Sequence, residues 1–188
     1  APASPVTDQR ELMDRFIGDG VLNRIVERGG KPASPRTPDE LVIEDEAPAT
    51  LARLRDLGFA LFVVTNQPDV ARGLMSGEAL DAIHARLGEA LPVDDIAACR
   101  HDNADECACR KPRPGLVTGL AERHGIDLSA SWLVGDQDRD ITCGKAAGVR
   151  TIFLSRPYNS GSGSDADHVV ESLSQTIAVI AATAQQTA

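Results

Sequence analysis

Two clusters of residues in this 188-residue chain have the types and spacing to do chemistry. The first is Cys99-x-His101 followed by Cys107-x-Cys109. Three thiolates and one imidazole make a complete tetrahedral shell for Zn2+, and the short loop between the pairs lets both reach one ion. With four protein ligands no position remains for a catalytic water, so such an ion would fold a loop, residues 99–109. Small buried cysteines beside an exposed histidine, or disulfides, are the other readings. Cys107 and Cys109 are too close in sequence to bridge each other easily. Cys143 reads as a small core residue, and His84, His124 and His168 have no partner that the sequence identifies.

The second cluster is spread along the chain at the ends of apolar runs, where open α/β sheets bind ligands. Thr65-Asn66-Gln67 follows Phe62-Val63-Val64, Arg110-Lys111 follows the Cys/His loop, and Gly135-Asp136, with Asp138 and Asp140 behind it, follows Leu133-Val134. Asp19-Gly20 follows Phe16-Ile17. A hydroxyl, two cations and carboxylates around one crevice suit phosphoryl transfer: Mg2+ takes carboxylate oxygens, and phosphoryl oxygens take cations and donors. Taken singly, a Thr or Gly-Asp after a strand is an ordinary helix cap.

The elements that must position these groups alternate short apolar runs with amphipathic stretches, the pattern of a parallel sheet with crossover helices. Phe59 to Val64 is apolar without alternation, as a strand buried on both faces requires. Strands are also expected at 95–99, 131–134, 151–154 and 169–170. Helices are expected at 47–57, stopped by Gly58, at 77–91 with Ser76 as cap, and at 114–123, closed at Gly125. Two more run from about 139 to Gly148 and from the last strand to about 182. Residues 31–40, with three prolines, and 159–167, rich in Gly and Ser, read as loops. Residues 7–17 carry Leu12, Met13, Phe16 and Ile17 at helical spacing.

Composition narrows the partners. Nineteen basic against twenty-eight acidic residues give a net charge of −9, which disfavours nucleic acid and anionic membrane as ligands. Six aromatic residues are too few for a base-stacking platform. No apolar run reaches a membrane span, and Ala1-Pro2-Ala3-Ser4-Pro5 lacks the character of a signal peptide, so a cytoplasmic protein is expected. The length fits one domain over 1–188, and a monomer is the expectation.

The residues from Val64 to Gln67 with Ala71-Arg72-Gly73, the Cys/His set running into Arg110-Lys111-Pro112-x-Pro114-Gly115, and Val134-Gly135-Asp136 resemble the haloacid dehalogenase superfamily. More narrowly they resemble its capless heptose bisphosphate phosphatases, with the histidinol-phosphate phosphatases as near relatives. The likeness covers about residues 19–170. It implies a Rossmann-like three-layer sandwich with a central parallel sheet, without a cap domain, and with a zinc loop. It further implies Mg2+-dependent hydrolysis of a small sugar phosphate through an aspartyl-phosphate, with D-glycero-D-manno-heptose 1,7-bisphosphate at C7 as the expected substrate. Thr65 and Lys111 would hold the phosphoryl oxygens, while Asn66, Gln67 and Arg110 would contact substrate. Asp136 would ligate Mg2+, supported by Asp140.

The family's first motif is Asp-x-Asp-Gly. Without a gap this chain reads Ile17-Gly18-Asp19-Gly20, keeping the acid/base Asp19 and setting Ile17 at the nucleophile. The other register starts at Asp14-Arg15 and inserts Phe16-Ile17-Gly18, which makes Asp14 and Asp19 the catalytic and Mg2+-binding pair. An active phosphatase is the leading expectation. A sugar-phosphate binder without turnover and a zinc-stabilised interaction module are the alternatives.

Overall fold

Side chains along the strand Ala60–Asn66 point alternately to two cores. Leu61 and Val63 belong to one buried cluster, Phe62 and Val64 to the other. The same division holds for Trp132 and Val134 against Leu133. A strand buried on both faces must be all apolar, which is why these segments show no polar alternation. The computed structural model describes residues 14–17 and 20–184.

Six parallel strands form the main sheet: β1 (Asp14–Ile17), β4 (Ala60–Asn66), β5 (Asp95–Cys99), β6 (Trp132–Gly135), β7 (Arg150–Leu154) and β8 (His168–Val170). They lie in the order β5-β4-β1-β6-β7-β8. The chain thus winds outward from β1 to one side, then returns to β1 and winds to the other, so the order reverses between β4 and β6. A crevice opens there beyond the carboxyl ends of the strands.

Six helices connect them: α1 (Ala47–Asp56), α2 (Pro68–Ala71), α3 (Gly77–Ala90), α4 (Gly115–His124), α5 (Asp138–Ala147) and α6 (Gln175–Ala184). Leu51 and Leu54 of α1 and Ile180 of α6 pack on one face of the sheet. Leu116, Val117 and Leu120 of α4 and Cys143 of α5 pack on the other, completing a three-layer α/β sandwich. Ser76 Oγ accepts the Ala79 N–H and caps α3, and the left-handed glycines Gly125 and Gly148 end α4 and α5. Among the described residues no helix is long and apolar enough to cross a membrane.

Two expectations are corrected. Residues 14–17 are the central strand of the sheet, although their apolar spacing suggests a helix; residues 7–13 lie outside the described residues. Pairing on both sides, with β4 and β6, overrides the local pattern. Residues 31–40 are not all loop: β2 (Val26–Arg28) and β3 (Lys31–Ala33) form an antiparallel hairpin, and Pro38–Glu40 makes a 3-10 turn. Gly29 and Gly30 take φ of 58° and 73°, the two positive values that a two-residue hairpin turn demands. This hairpin occupies the chain between β1 and α1, leading into the crevice wall.

Candidate functional site

β4, β1 and β6 run in register, and the register fixes which residues reach the crevice. Ile17 is level with Val63 and Val134. Two residues further along lie Thr65 and Asp136, both buried and both lining the crevice. Asp14 is level with Ala60 at the other end of the sheet. Five residues at ~3.3 Å each leave it about 16 Å below the level of Thr65. The strand therefore takes Asp14 away from the rim, against its expected roles as nucleophile and metal ligand. Asp19 lies outside the described residues. Its neighbour Gly20 packs directly on Asp136: a Cβ there would meet Asp136 Oδ2 at 2.3 Å, so only glycine fits this approach.

Lys111 is fully buried, and its ammonium donates to the Val64 carbonyl at 2.8 Å and pairs with Asp140 Oδ1 at 2.7 Å. The side chains of Lys111 and Asp140 are 0% and 1% exposed, so neither charge is solvated and each depends on the other. Asp140 Oδ2 also accepts the Gln137 N–H at 3.1 Å, tying the lysine to the turn that carries Asp136. Gly135 is needed beside it, since a Cβ there would fall 2.2 Å from Asp140 Cβ. Gln67 Nε2 donates to Thr65 Oγ1 at 2.8 Å, and a hydroxyl that accepts on one side still donates through its own proton.

Two of the expected substrate contacts have protein partners in the structure. Asn66 engages the backbone of Lys111 through both ends of its amide, Nδ2 to Lys111 O and Oδ1 from Lys111 N, each at 3.0 Å. It is a clamp that fixes where the lysine starts, and it is not part of the crevice lining. Arg110 is bound by the Cys/His loop, with Nε on Asn103 Oδ1 at 2.7 Å and Nη1 on His101 O at 3.2 Å, and it too is absent from the lining. The Lys111-Pro112 peptide is cis. Arg72 forms a bidentate pair with Asp102, both bonds 2.7 Å, and reaches Asp69 at 3.6 Å. Those bonds, with the Asn103 N–H, hold the Asp102 carboxyl at about 2.

Sequence reasoning misses several residues that contact Asp136 or line the crevice. Tyr158 donates its hydroxyl to Asp136 Oδ2 at 2.7 Å, and Asn159 Nδ2 donates to Asp136 O at 2.9 Å. Burial and the facing Asp136 carboxylate push the Tyr158 hydroxyl far above the usual phenol range, so it stays a donor. Asn23 and Ser34 line the crevice from the chain around the hairpin, His84 from α3 and Arg139 from α5. His84 is thus a wall residue of the crevice and not a bystander. Among the described residues Arg139 makes no ion pair.

The Cys/His loop is assembled. Cys99 Sγ lies 3.6 Å from both His101 Nδ1 and Cys107 Sγ, Cys109 Sγ is 3.4 Å from Cys107 Sγ, and His101 Nδ1 is 3.3 Å from Cys109 Sγ. All four ligand atoms fall within 4.8 Å of one another. A tetrahedral ion with bonds of about 2.3 Å to sulfur sets its ligands roughly 3.5–3.8 Å apart, so the four atoms fit such an ion. Burial and the neighbouring thiols push Cys109 up to about 12, while, against its burial, hydrogen bonds from Cys109 and the Arg110 N–H bring Cys107 down to about 7. The cysteines form no disulfide.

A doubly wound sheet does not by itself name a reaction. Its strand-end hydroxyl, buried lysine and buried carboxylate, gathered around the strand-order reversal, suit the handling of a phosphoryl group. A family described as HAD-hydrolase-like matches residues 108–176. The chain is 36% identical over 124 residues to the D-glycero-beta-D-manno-heptose-1,7-bisphosphate 7-phosphatase of Pseudomonas aeruginosa, covering 63% of this chain and 70% of that one. Identity to the enzyme of the same name from Bordetella bronchiseptica is also 36%, over 142 residues, 73% of this chain and 75% of that one. A crystal structure of D,D-heptose 1,7-bisphosphate phosphatase from B. bronchiseptica, complexed with magnesium and phosphate, superposes with a TM-score of 0.76 at 29% identity, over 93% of this chain and 99% of that one. The chain belongs to the haloacid dehalogenase-like hydrolases, in the branch of the heptose bisphosphate phosphatases.

Proposed function

We propose that this protein hydrolyses a phosphomonoester of a small sugar phosphate, D-glycero-D-manno-heptose 1,7-bisphosphate at C7, with Mg2+ at the rim and Zn2+ in the Cys/His loop. The observation that carries the reading is that Thr65 and Asp136 line one crevice, with the buried Lys111 ammonium behind it on the Val64 carbonyl and Asp140, whose other oxygen accepts the Gln137 N–H. Thr65 donates to a phosphoryl oxygen, and the Lys111 ammonium supplies positive charge beneath it. Asp136, buried at a strand end against Gly20, fits a small hard cation that takes carboxylate oxygens. When bound, Mg2+ neutralises phosphate charge so that a carboxylate can approach it. Cys99, His101, Cys107 and Cys109 hold the structural Zn2+.

The reacting carboxylate in this proposal is Asp19. In sequence Asp19 stands two residues past Ile17, as Thr65 stands two past Val63 and Asp136 two past Val134, the residues level with Ile17. A carboxylate oxygen of Asp19 bonds to phosphorus while the bond to the C7 oxygen breaks, and the sugar hydroxyl leaves with a proton from solvent. Water then attacks phosphorus, orthophosphate departs, and the carboxylate is restored.

A second reading, a sugar-phosphate binder without turnover, is favoured by one observation: β1 runs Asp14 away from the rim and leaves Ile17 at its carboxyl end. Phosphate release from the heptose bisphosphate with Mg2+ separates the two. The proposal expects turnover that is lost in Asp19→Asn and retained in Asp14→Asn. Binding of the bisphosphate with no phosphate release would establish the second reading instead.

A further inference from the structure

Residues 160–167 form no helix or strand, as their composition suggests, but the stretch is anchored. Pro157–Asn159 forms a 3-10 turn, with Asn159 Oδ1 accepting the Arg156 N–H at 2.7 Å and Asn159 buried. The Asn159 amide also bridges two strand ends, giving Nδ2 to Leu154 O at 3.0 Å and to Asp136 O at 2.9 Å. Four residues on, Gly163 N donates to Asp138 Oδ1 at 2.6 Å, and a Cβ on Gly163 would lie 2.3 Å from the Phe153 ring. The segment is therefore fastened at both ends to the turn that carries Asp136. Tyr158 lies immediately before the first of those fastenings, its hydroxyl 2.7 Å from Asp136 Oδ2.

We infer that Tyr158 is a positioning residue for metal binding, fixing the Asp136 carboxylate in the orientation in which it meets a divalent cation. The inference rests on the metal role proposed for Asp136. An aspartate carboxylate turns about two side-chain bonds. Here the phenol bond, with the Gln137 amide 3.5 Å from the same oxygen, sets that rotation before any ion arrives. A ligand already oriented loses less freedom on binding, and hydrogen-bond partners of metal ligands are commonly worth 10- to 100-fold in metal affinity. Neither the family's strand-end motifs nor the Cys/His set contains this tyrosine. It reaches Asp136 from a different loop, twenty-two positions away in sequence.

Tyr158→Phe keeps the ring and removes one hydroxyl. Tyr158→Leu removes the ring as well. Calorimetric titration of Mn2+ into the zinc-loaded full-length protein, with Asp136→Asn as the control that loses binding, reads the effect without any turnover. The expected result is an affinity about 10- to 100-fold weaker in Tyr158→Phe, with little further loss in Tyr158→Leu. In a Mg2+ titration of activity, half-saturation rises by the same factor while the rate at saturating Mg2+ stays near that of the wild type. Tyr158→Phe with wild-type Mn2+ affinity overturns the inference alone, as does a loss seen only in Tyr158→Leu, which would assign the effect to ring packing. A wild type with no Mn2+ affinity overturns both the inference and the metal role on which it rests.

Discussion

Replacing Lys111 by methionine tests the buried centre of the site. The side chain keeps its length and loses its charge, which leaves the Asp140 carboxylate 1% exposed with its 2.7 Å cationic partner gone. Removing one member of a buried ion pair costs about 3–5 kcal/mol, because the other charge stays desolvated. For a chain of this size each kcal/mol moves the melting temperature by roughly 2–4 °C, so Lys111→Met should melt about 6–20 °C below the wild type. The double variant Lys111→Met/Asp140→Asn removes the stranded charge while its side-chain oxygen can still accept the Gln137 N–H. It should recover a large part of the loss, giving a coupling that simple addition of the two single effects does not predict. Calorimetric melting of the three variants measures this directly. A Lys111→Met protein melting within 2 °C of the wild type, or a double variant that loses the sum of the two single losses, would refute the reasoning.

Two further outcomes follow from the loops around the site. The purified protein should carry one zinc per chain by elemental mass spectrometry, and Cys109→Ser should lose the metal, melt earlier and become open to protease within 99–109; full stability without metal would contradict this. Asp102, held at about 2 chiefly by Arg72, contributes its stabilisation fully above its ordinary value of 3.8 and loses it as pH falls towards 2. In Arg72→Ala its carboxyl carbon resonance should titrate higher, part of the way from about 2 towards 3.8 because the Asn103 N–H still lowers it, and an unchanged midpoint would show that Arg72 is not the cause.

The parts of the site that were legible in sequence are those whose partners are close along the chain or belong to one repeated device. The four ligands of the Cys/His loop fall within eleven residues, so spacing alone dictated their meeting. Thr65 and Asp136 were legible because each follows an apolar run, and parallel strands bring such residues to one edge. The identity of that edge was legible, but the level of each residue on it was not. The four residues Asp14–Ile17 carry no period long enough to distinguish strand from helix, and only pairing with β4 and β6 decides their direction and depth. That is why Asp14 could be read as a nucleophile and yet lies at the far end of the sheet.

Other duties depend on contacts between distant segments. Asn66 and Arg110 look like ligand contacts in sequence because both are polar and adjoin the motif residues; their bonds to the Lys111 backbone and to the Cys/His loop were not legible there. Asn159 opens the stretch whose Gly and Ser content signals a loop, Tyr158 stands just before it, and nothing local says that they fold back on Asp136. The β2–β3 hairpin did leave a signal, the Gly29-Gly30 pair that a tight hairpin turn favours.

The central claim is that Thr65, Lys111 and Asp136 serve one phosphoryl group. A crystal structure of the protein grown with Mg2+ and orthophosphate tests it most directly. The account predicts phosphate with oxygens in hydrogen-bond reach of Thr65 Oγ1 and Lys111 Nζ, and a cation about 2.0–2.1 Å from an Asp136 carboxylate oxygen. Phosphate bound only at surface arginines, with Asp136 free of metal, would contradict it.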